Sequence, residues 1–290
     1  MRPTPAWKLP EIRDAIVAHE KFIPEEERGT AITRRHIPTL RRAELFWASS
    51  DMTTLALQAA ATLPEWTPEI AAPATAGFML WQQPIGRFDG VAPGFTDEGV
   101  AERIISDSQA VAAHWSFDAE YLTLTLYGLV SSAAERGRTA PVSGDLYEIG
   151  VFTTLGGHAF HPDKVELQDQ TMHEVLHVIG ASWLLMQQPT VSTVRRQKPQ
   201  RTGGKPKKKP AKRDMVQIID LRRLAKKNEP NAAPGTGRRE YSRRWFVRGH
   251  WRQQACGPGR TQRKPVFVAP HIRGPEDAPL KQGRVNAWRR

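Results

Sequence analysis

Residues 121–127 read Tyr-Leu-Thr-Leu-Thr-Leu-Tyr, so leucines alternate with threonines and tyrosines. Because successive side chains of a strand point to opposite faces, this alternation predicts a half-buried strand. A second strand-like run covers residues 110–115, and only the short segment 116–120 separates the two. A short connection between neighbouring strands favours antiparallel pairing.

The remaining pattern up to residue 190 predicts several helices and two further strands. Residues 8–63 have mainly helical spacing of apolar side chains, and Ser50 or Asp51 can cap the last helix of this part. The predicted helices cover residues 11–22, 41–48, 52–63, 97–105 (capped by Thr96) and 165–188, and the further strands cover 76–82 and 147–154. The predicted fold class is therefore α+β, with a helical N-terminus, a mostly antiparallel sheet and one long helix.

The charge of the chain is divided between its two parts. Residues 1–194 carry 14 Lys and Arg against 24 Asp and Glu, whereas residues 195–290 carry 28 against 6. The net charges are −10 and +22, which sum to the +12 of the whole chain. A strongly basic segment of this kind favours a polyanionic partner, most often nucleic acid.

Composition also changes along the chain and predicts three regions. Residues 195–213 hold ten Lys or Arg and no large apolar side chain, which is typical of a disordered arm. We therefore predict an acidic α+β body over residues 1–190, a basic disordered linker over 191–214 and a basic β-rich module over 215–290. The strands predicted in the module cover residues 216–221, 241–247, 266–268 and 285–288.

Several function classes are excluded by composition. The chain has one cysteine, Cys256, which excludes a disulfide framework and a zinc site made of several cysteines. No apolar run approaches the roughly 20 residues that cross a bilayer. The N-terminal segment also lacks the apolar stretch of a secretory signal. These features predict a cytoplasmic protein that makes no contact with a membrane.

One motif on the predicted long helix suggests metal chemistry. His173, Glu174 and His177 form the pattern H-E-x-x-H, in which two histidines hold zinc and the glutamate polarises a metal-bound water. The pattern continues to Gly180 as in a longer zinc-peptidase motif, but Trp183 stands where that motif needs a third histidine. The first glutamate after the motif is Glu229. The alternatives are a zinc peptidase and an ordinary core helix.

The basic module contains a second suggestive stretch. Residues 239–252 interleave arginines with aromatic side chains, which can grip phosphates and stack on unpaired bases, respectively. The aromatic side chains are equally compatible with a small core of the module. His250 is a candidate general base for metal-free RNA cleavage or a structural residue. The predicted nucleic-acid contacts are Arg243, Arg244, Arg248, His250, Trp251 and Arg252.

The module also resembles a known family. Residues 248–251 read Arg-Gly-His-Trp, glycines follow at 257 and 259, and residues 266–270 read Val-Phe-Val-Ala-Pro. This combination is similar to the C-terminal module of a family of phage- and plasmid-borne bacterial proteins. The family includes an anti-CRISPR inhibitor of type V effector nuclease production. The resemblance covers about 30 to 50 residues, and it implies a mobile-element protein that acts on nucleic acid or on a nascent gene product.

Three functional hypotheses follow. The first is a non-enzymatic, nucleic-acid-binding regulatory or counter-defence protein, directed to RNA in preference to DNA, with no cofactor and with the acidic body as a candidate surface for a protein target. The alternative is a zinc-dependent metallopeptidase that uses His173, Glu174 and His177. In the third, the acidic body and the basic tail neutralise each other until a partner separates them.

Overall fold

The computed structural model describes residues 4–22, 31–96, 99–130, 146–161, 170–199, 214–222, 245–247, 249–268 and 271–273. The α-helices are α1 (Leu9–Phe22), α2 (Ala31–Arg42), α3 (Ser50–Ala60), α4 (Pro68–Ala71) and α5 (Gln170–Met186). The strands of the main sheet are β1 (Glu44–Ala48), β2 (Ala76–Trp81), β3 (Gly86–Thr96), β4 (Gly99–Asp118), β5 (Tyr121–Val130), β6 (Leu146–Leu155), β7 (Ser192–Gln197) and β8 (Val216–Leu221). Four short strands follow, β9 (Trp245–Val247), β10 (His250–Cys256), β11 (Gln262–Val268) and β12 (His271–Arg273).

One mixed, mostly antiparallel sheet organises the molecule. Its strands lie in the order β6-β5-β4-β2-β1-β8-β7, and β3 pairs with the first part of β4. The central strand β1 is parallel to both β2 and β8, whereas the other pairings are antiparallel. The structure therefore confirms the predicted α+β class with a mostly antiparallel sheet.

Hydrophobic cores lie on both faces of the sheet because neighbouring residues of the central strands point in opposite directions. On one face Leu45 of β1 packs with Leu9 and Ile16 of α1. On the other face Phe46 of β1 packs with residues of α3 and α5. The result is a sheet covered on its two faces by different helices.

Helix α3 begins directly after β1, and a local capping signal fixes its start. Ser49 is the N-cap, and its hydroxyl accepts a hydrogen bond from the backbone N–H of Met52 at 3.4 Å. The cap therefore lies one residue before Ser50 and two residues before Asp51, the two predicted candidates. Asp51 in the first turn has a favourable position relative to the helix dipole.

Two of the predicted helices are wrong. Residues 44–48 form β1, which lies in the centre of the sheet and buries Leu45, Phe46 and Ala48. A short apolar run that is buried on both faces does not alternate, so its pattern cannot be told from that of a helix. Residues 99–105 belong to β4, where pairing with β3 overrides the capping signal of Thr96.

The strands predicted at 76–82, 110–115, 121–127, 147–154 and 216–221 are confirmed as parts of β2, β4, β5, β6 and β8. The long helix predicted over 165–188 is confirmed as α5 within the described residues. Of the strands predicted in the module, 241–247 is described only as β9, 266–268 lies within β11, and 285–288 lies outside the described residues.

The predicted linker over 191–214 differs from the structure at both of its ends. Ser192–Gln197 forms β7, which pairs with β8 beside the central strand of the body. At the other end Asp214 accepts a hydrogen bond at 2.9 Å from the buried guanidinium of Arg13 on α1. Polar side chains such as Arg195 and Arg196 fit an edge strand that is exposed to solvent. Residues 200–213 lie outside the described residues. No helix of the described residues is long and apolar enough to cross a membrane.

Candidate nucleic-acid interface

Strands β10 and β11 form a two-stranded antiparallel hairpin, here called the hairpin (residues 250–268). Its tip is a short 3₁₀ turn over Pro258–Arg260. Gly257 and Gly259 have φ values of 75° and 62°, a backbone region that side chains with a Cβ rarely adopt. The two glycines that marked a turn in the sequence therefore allow the chain to reverse at this point.

The hairpin is packed on the body through its aromatic pair. The rings of Trp251 and Phe267 lie edge to face, with their centroids 5.2 Å apart. Phe267 is buried in the same core as α3 and α5, and Trp251 is half-buried against that core. The indole N–H of Trp251 donates to the carbonyl oxygen of Ala59 at 2.8 Å, near the end of α3. Trp251 is thus a docking residue.

Polar contacts between the hairpin and the C-terminal end of α5 complete the docking. The backbone N–H of Phe267 donates to Oε1 of Gln188 at 3.0 Å. Nζ of Lys264 donates to Oε1 of Gln187, also at 3.0 Å. Burial lowers the pKa of Lys264, an effect that Cys256 partly offsets by its charge. Among the described residues no ion pair joins the hairpin to the body, and its docking contacts there are apolar packing and hydrogen bonds, one of them from the ammonium group of Lys264.

The surface that the hairpin leaves exposed is basic. Residues 245–268 contain no Asp or Glu. Exposed arginines occur on both strands and at the tip, with exposed amide and hydroxyl side chains between them. This set, here called the hairpin surface, consists of Arg252, Gln254, Arg260, Thr261, Gln262 and Arg263. The register places Arg252, Gln254 and Gln262 on the face of the hairpin opposite Trp251. Arg263 lies on the same face as Trp251 and lines a pocket with Glu65 of the body. Exposed cations fit an anionic ligand such as a phosphate backbone, and the hairpin itself supplies no competing carboxylate.

The six residues predicted to contact nucleic acid differ in their positions in the structure. His250 and Arg252 are exposed on β10, whereas Trp251 between them faces the body. Arg243, Arg244 and Arg248 lie outside the described residues. The role of these residues in binding stays a prediction, and the docking of Trp251 against α3 leaves its ring only partly exposed for stacking on a base.

Sequence reasoning missed two arginines of the hairpin surface, Arg260 and Arg263. The turn signal at Gly257 and Gly259 could have placed Arg260 at a tip. The absence of acidic residues from 245–268 would also have extended the basic surface beyond Arg252. The register of β10 with β11 then brings Arg263 opposite Ala255.

The histidines of the H-E-x-x-H motif lie in the core of the body. His173 and His177 are both buried on α5, with ring centroids 4.2 Å apart. Nδ1 of His177 lies 3.0 Å from the carbonyl oxygen of His173, and its Nε2 is buried with no hydrogen-bond partner among the described residues. Burial lowers the pKa of His177, and the nearby His173 adds to this, whereas the backbone hydrogen bond opposes it.

Packing explains the residues that extend the motif. A Cβ on Gly180 would lie 2.6 Å from the ring of Trp66, so the close approach of this ring requires glycine. Trp183 stands edge to face with the same ring at 6.3 Å. Glu174 is exposed on the other side of the helix. No three His, Cys, Asp or Glu side chains of the described residues are placed to hold a metal ion.

A groove of about 850 Å³ opens where α4 meets the ends of β4 and β6. Its walls combine the carboxylates of Glu69 and Glu120 with the apolar side chains of Pro73, Phe117 and Leu155. Backbone hydrogen bonds from Gly156 to Glu120 at 2.6 Å and from Glu69 to Gly156 at 2.9 Å tie the walls together. This arrangement suits a ligand that carries a positive charge beside apolar surface.

Comparison with known proteins identifies the family. A family model described as AcrVA2-like, the anti-CRISPR type V subtype A2 family, matches residues 38–272, which include the main sheet and the hairpin. The chain therefore belongs to this family, and the resemblance inferred from its C-terminal module is confirmed. A crystal structure of AcrVA2 aligns over 93% of this chain and 85% of that chain, with 10% sequence identity and a TM-score of 0.32. A TM-score this low does not establish that the two proteins share a fold. No curated protein matches the chain.

Proposed function

We propose that this chain is a non-enzymatic counter-defence protein of a bacterial mobile element that binds nucleic acid, RNA in preference to DNA, through the hairpin surface. Membership of an anti-CRISPR family supports the counter-defence role. The observation that carries the binding proposal is the hairpin surface itself, where Arg252, Arg260 and Arg263 are exposed and no acidic side chain lies between residues 245 and 268.

The preference for RNA rests on the uncharged groups between these arginines. Gln254, Thr261 and Gln262 are exposed and carry amide and hydroxyl groups that can bond to a ribose 2′-hydroxyl. Guanidinium groups alone contact phosphates of either nucleic acid. Single-stranded RNA is therefore the first ligand to measure, with DNA of the same sequence beside it.

The test is the salt dependence of binding. Fluorescence anisotropy of labelled single-stranded RNA with the full chain is measured over a range of salt concentrations. The double variant Arg252→Ala/Arg263→Ala should bind more weakly, with a salt slope smaller by about one unit for each phosphate contact removed. The matched control is Arg41→Ala/Arg42→Ala, which removes two exposed charges from the end of α2. Equal losses in both double variants would refute the assignment to the hairpin surface.

We also propose that the acidic body binds a protein target through the groove beside α4. Its two carboxylates suit a cationic side chain of a protein segment, and its apolar walls suit the residues next to that cation. A Glu69→Gln/Glu120→Gln variant should lose affinity for such a target but keep its affinity for RNA. Loss of both affinities would show that the two surfaces do not act separately.

A further inference from the structure

The face of the hairpin opposite Trp251 surrounds its exposed arginine with uncharged groups. On this face Arg252 of β10 lies directly opposite Val266 of β11, and Gln254 lies opposite Lys264. Arg252 and Gln254 are exposed, and Val266 is half-buried. The ammonium group of Lys264 is bound to the body through Gln187. The guanidinium of Arg252 is therefore presented beside an amide and an aliphatic side chain.

A hydrogen bond between two side chains orients the donors of Arg252. Its Nη2 donates to Oε1 of Gln254 at 3.1 Å. A guanidinium carries its N–H donors in a rigid planar fork, so the use of one Nη2 donor leaves one edge of the fork with two parallel N–H groups. Because its oxygen accepts from Arg252, Gln254 keeps its amide N–H groups as further donors. The pair therefore presents mainly hydrogen-bond donors to a ligand.

This arrangement of donors matches the edge of one nucleobase. Guanine has two neighbouring acceptors, O6 and N7, at the spacing of a guanidinium fork. Adenine places a donor beside its N7, and cytosine presents a donor at N4, so both oppose the fork. A phosphate also offers two acceptors, but the aliphatic side chain of Val266 next to Arg252 suits the apolar plane of a base. Residues directly opposite on antiparallel strands are close enough for one base to contact both.

We propose that Arg252, oriented by Gln254, binds the O6 and N7 atoms of a guanine in single-stranded RNA, so that the hairpin selects RNA by its sequence. This inference rests on the proposed function, in which the hairpin surface binds RNA, and it adds base recognition to phosphate binding. The phosphates are then contacted by Arg260 at the tip and by Arg263 on the other face. Phosphate contacts position a strand, and base contacts specify its sequence.

Fluorescence anisotropy at one salt concentration tests the inference with three labelled RNAs of equal length. The first contains only uridine, the second carries guanosines at its centre, and the third carries 7-deazaguanosine there, which lacks the N7 acceptor. The full chain should bind the guanosine RNA about fivefold or more tightly than the uridine RNA, and the 7-deaza substitution should remove most of this preference. Equal affinity for all three would overturn the inference and leave the proposed function standing. Absence of binding to all three would overturn both.

Conservative variants separate base recognition from charge. Arg252→Lys keeps the positive charge but lacks the planar fork, so the preference for guanosine should disappear while the salt slope stays unchanged. Its matched control is Arg260→Lys at the exposed tip, which should keep the preference. Gln254→Ala removes the group that orients the guanidinium and should reduce the preference, whereas Gln262→Ala on β11 should not. A preference that persists in Arg252→Lys would contradict the assignment to Arg252.

Discussion

Helix α5 and the hairpin both carry sequence patterns that suggest chemistry, but the structure exposes them to solvent very differently. On α5 the two histidines of the H-E-x-x-H motif are buried, and Gly180 and Trp183 are explained by packing around Trp66. On the hairpin one aromatic pair docks on the body, and the arginines are exposed. The comparison shows that a sequence motif can act on a ligand only where its functional groups are accessible to that ligand.

The largest expected effect comes from the core around α5. Trp183→Ala removes a fully buried side chain that packs against Trp66 and Trp115, so it should lower the free energy of unfolding by about 3–5 kcal/mol. Urea denaturation followed by circular dichroism measures this loss. A loss under about 1 kcal/mol would show that α5 does not form the core, and the comparison with the hairpin would then break down.

Trp251→Ala should have a smaller and more local effect. The ring is half-buried and its N–H makes one hydrogen bond, so we expect a loss of about 1–3 kcal/mol together with faster proteolysis within the hairpin. Trp251→Phe is the control, because it keeps ring contact with Phe267 but removes the bond to Ala59. Should Trp251→Ala leave hairpin proteolysis unchanged, Trp251 would not be a docking residue.

The pH dependence of stability near neutral pH should also arise from a residue of the body, Glu148. Burial raises the pKa of Glu148 on β6 to about 7 from its ordinary value of 4.5. The folded state then binds more protons than the unfolded state between these values, so this contribution to stability is present at low pH and is lost as pH rises through about 7. Glu148→Gln should flatten that part of a plot of Tm against pH. If Glu148→Gln left the slope of Tm against pH unchanged, Glu148 would not be the group responsible.

His177 should have the opposite effect on stability, which it should lower as the solution becomes more acidic. Because burial lowers its pKa below the ordinary value of 6.5, the unfolded state binds the proton more readily. Stability is therefore full above pH 6.5 and is lost as pH falls below it towards the folded-state pKa. His177→Gln should reduce this loss in the same plot. The double variant Arg252→Ala/Arg263→Ala serves as the control and should leave the slope unchanged.

Strands with regular alternation could be predicted from the sequence, and strands fixed by their position in the sheet could not. Residues 121–127 alternate, and their strand was confirmed, whereas residues 44–48 are buried on both faces and have no diagnostic period. Ser192–Gln197 reads as part of a basic arm because only pairing with β8 makes it a strand.

The hairpin surface was predictable only in part. The basic composition and Arg252 were visible in the sequence, and so was the turn at Gly257 and Gly259. The inward orientation of Trp251 was not, because it depends on a hydrogen bond to Ala59, 192 residues away in sequence. Likewise, nothing local indicates that His177 contacts a tryptophan, since Trp66 reaches it from a distant part of the sequence.

Hydrogen–deuterium exchange of the full chain, with and without single-stranded RNA at low salt, compares the two regions most directly. We expect RNA to slow exchange in peptides that span residues 250–263 and to leave exchange in Gln170–Met186 unchanged. Protection of α5, or no protection of the hairpin at concentrations where RNA is bound, would contradict the assignment of nucleic-acid binding to the hairpin surface.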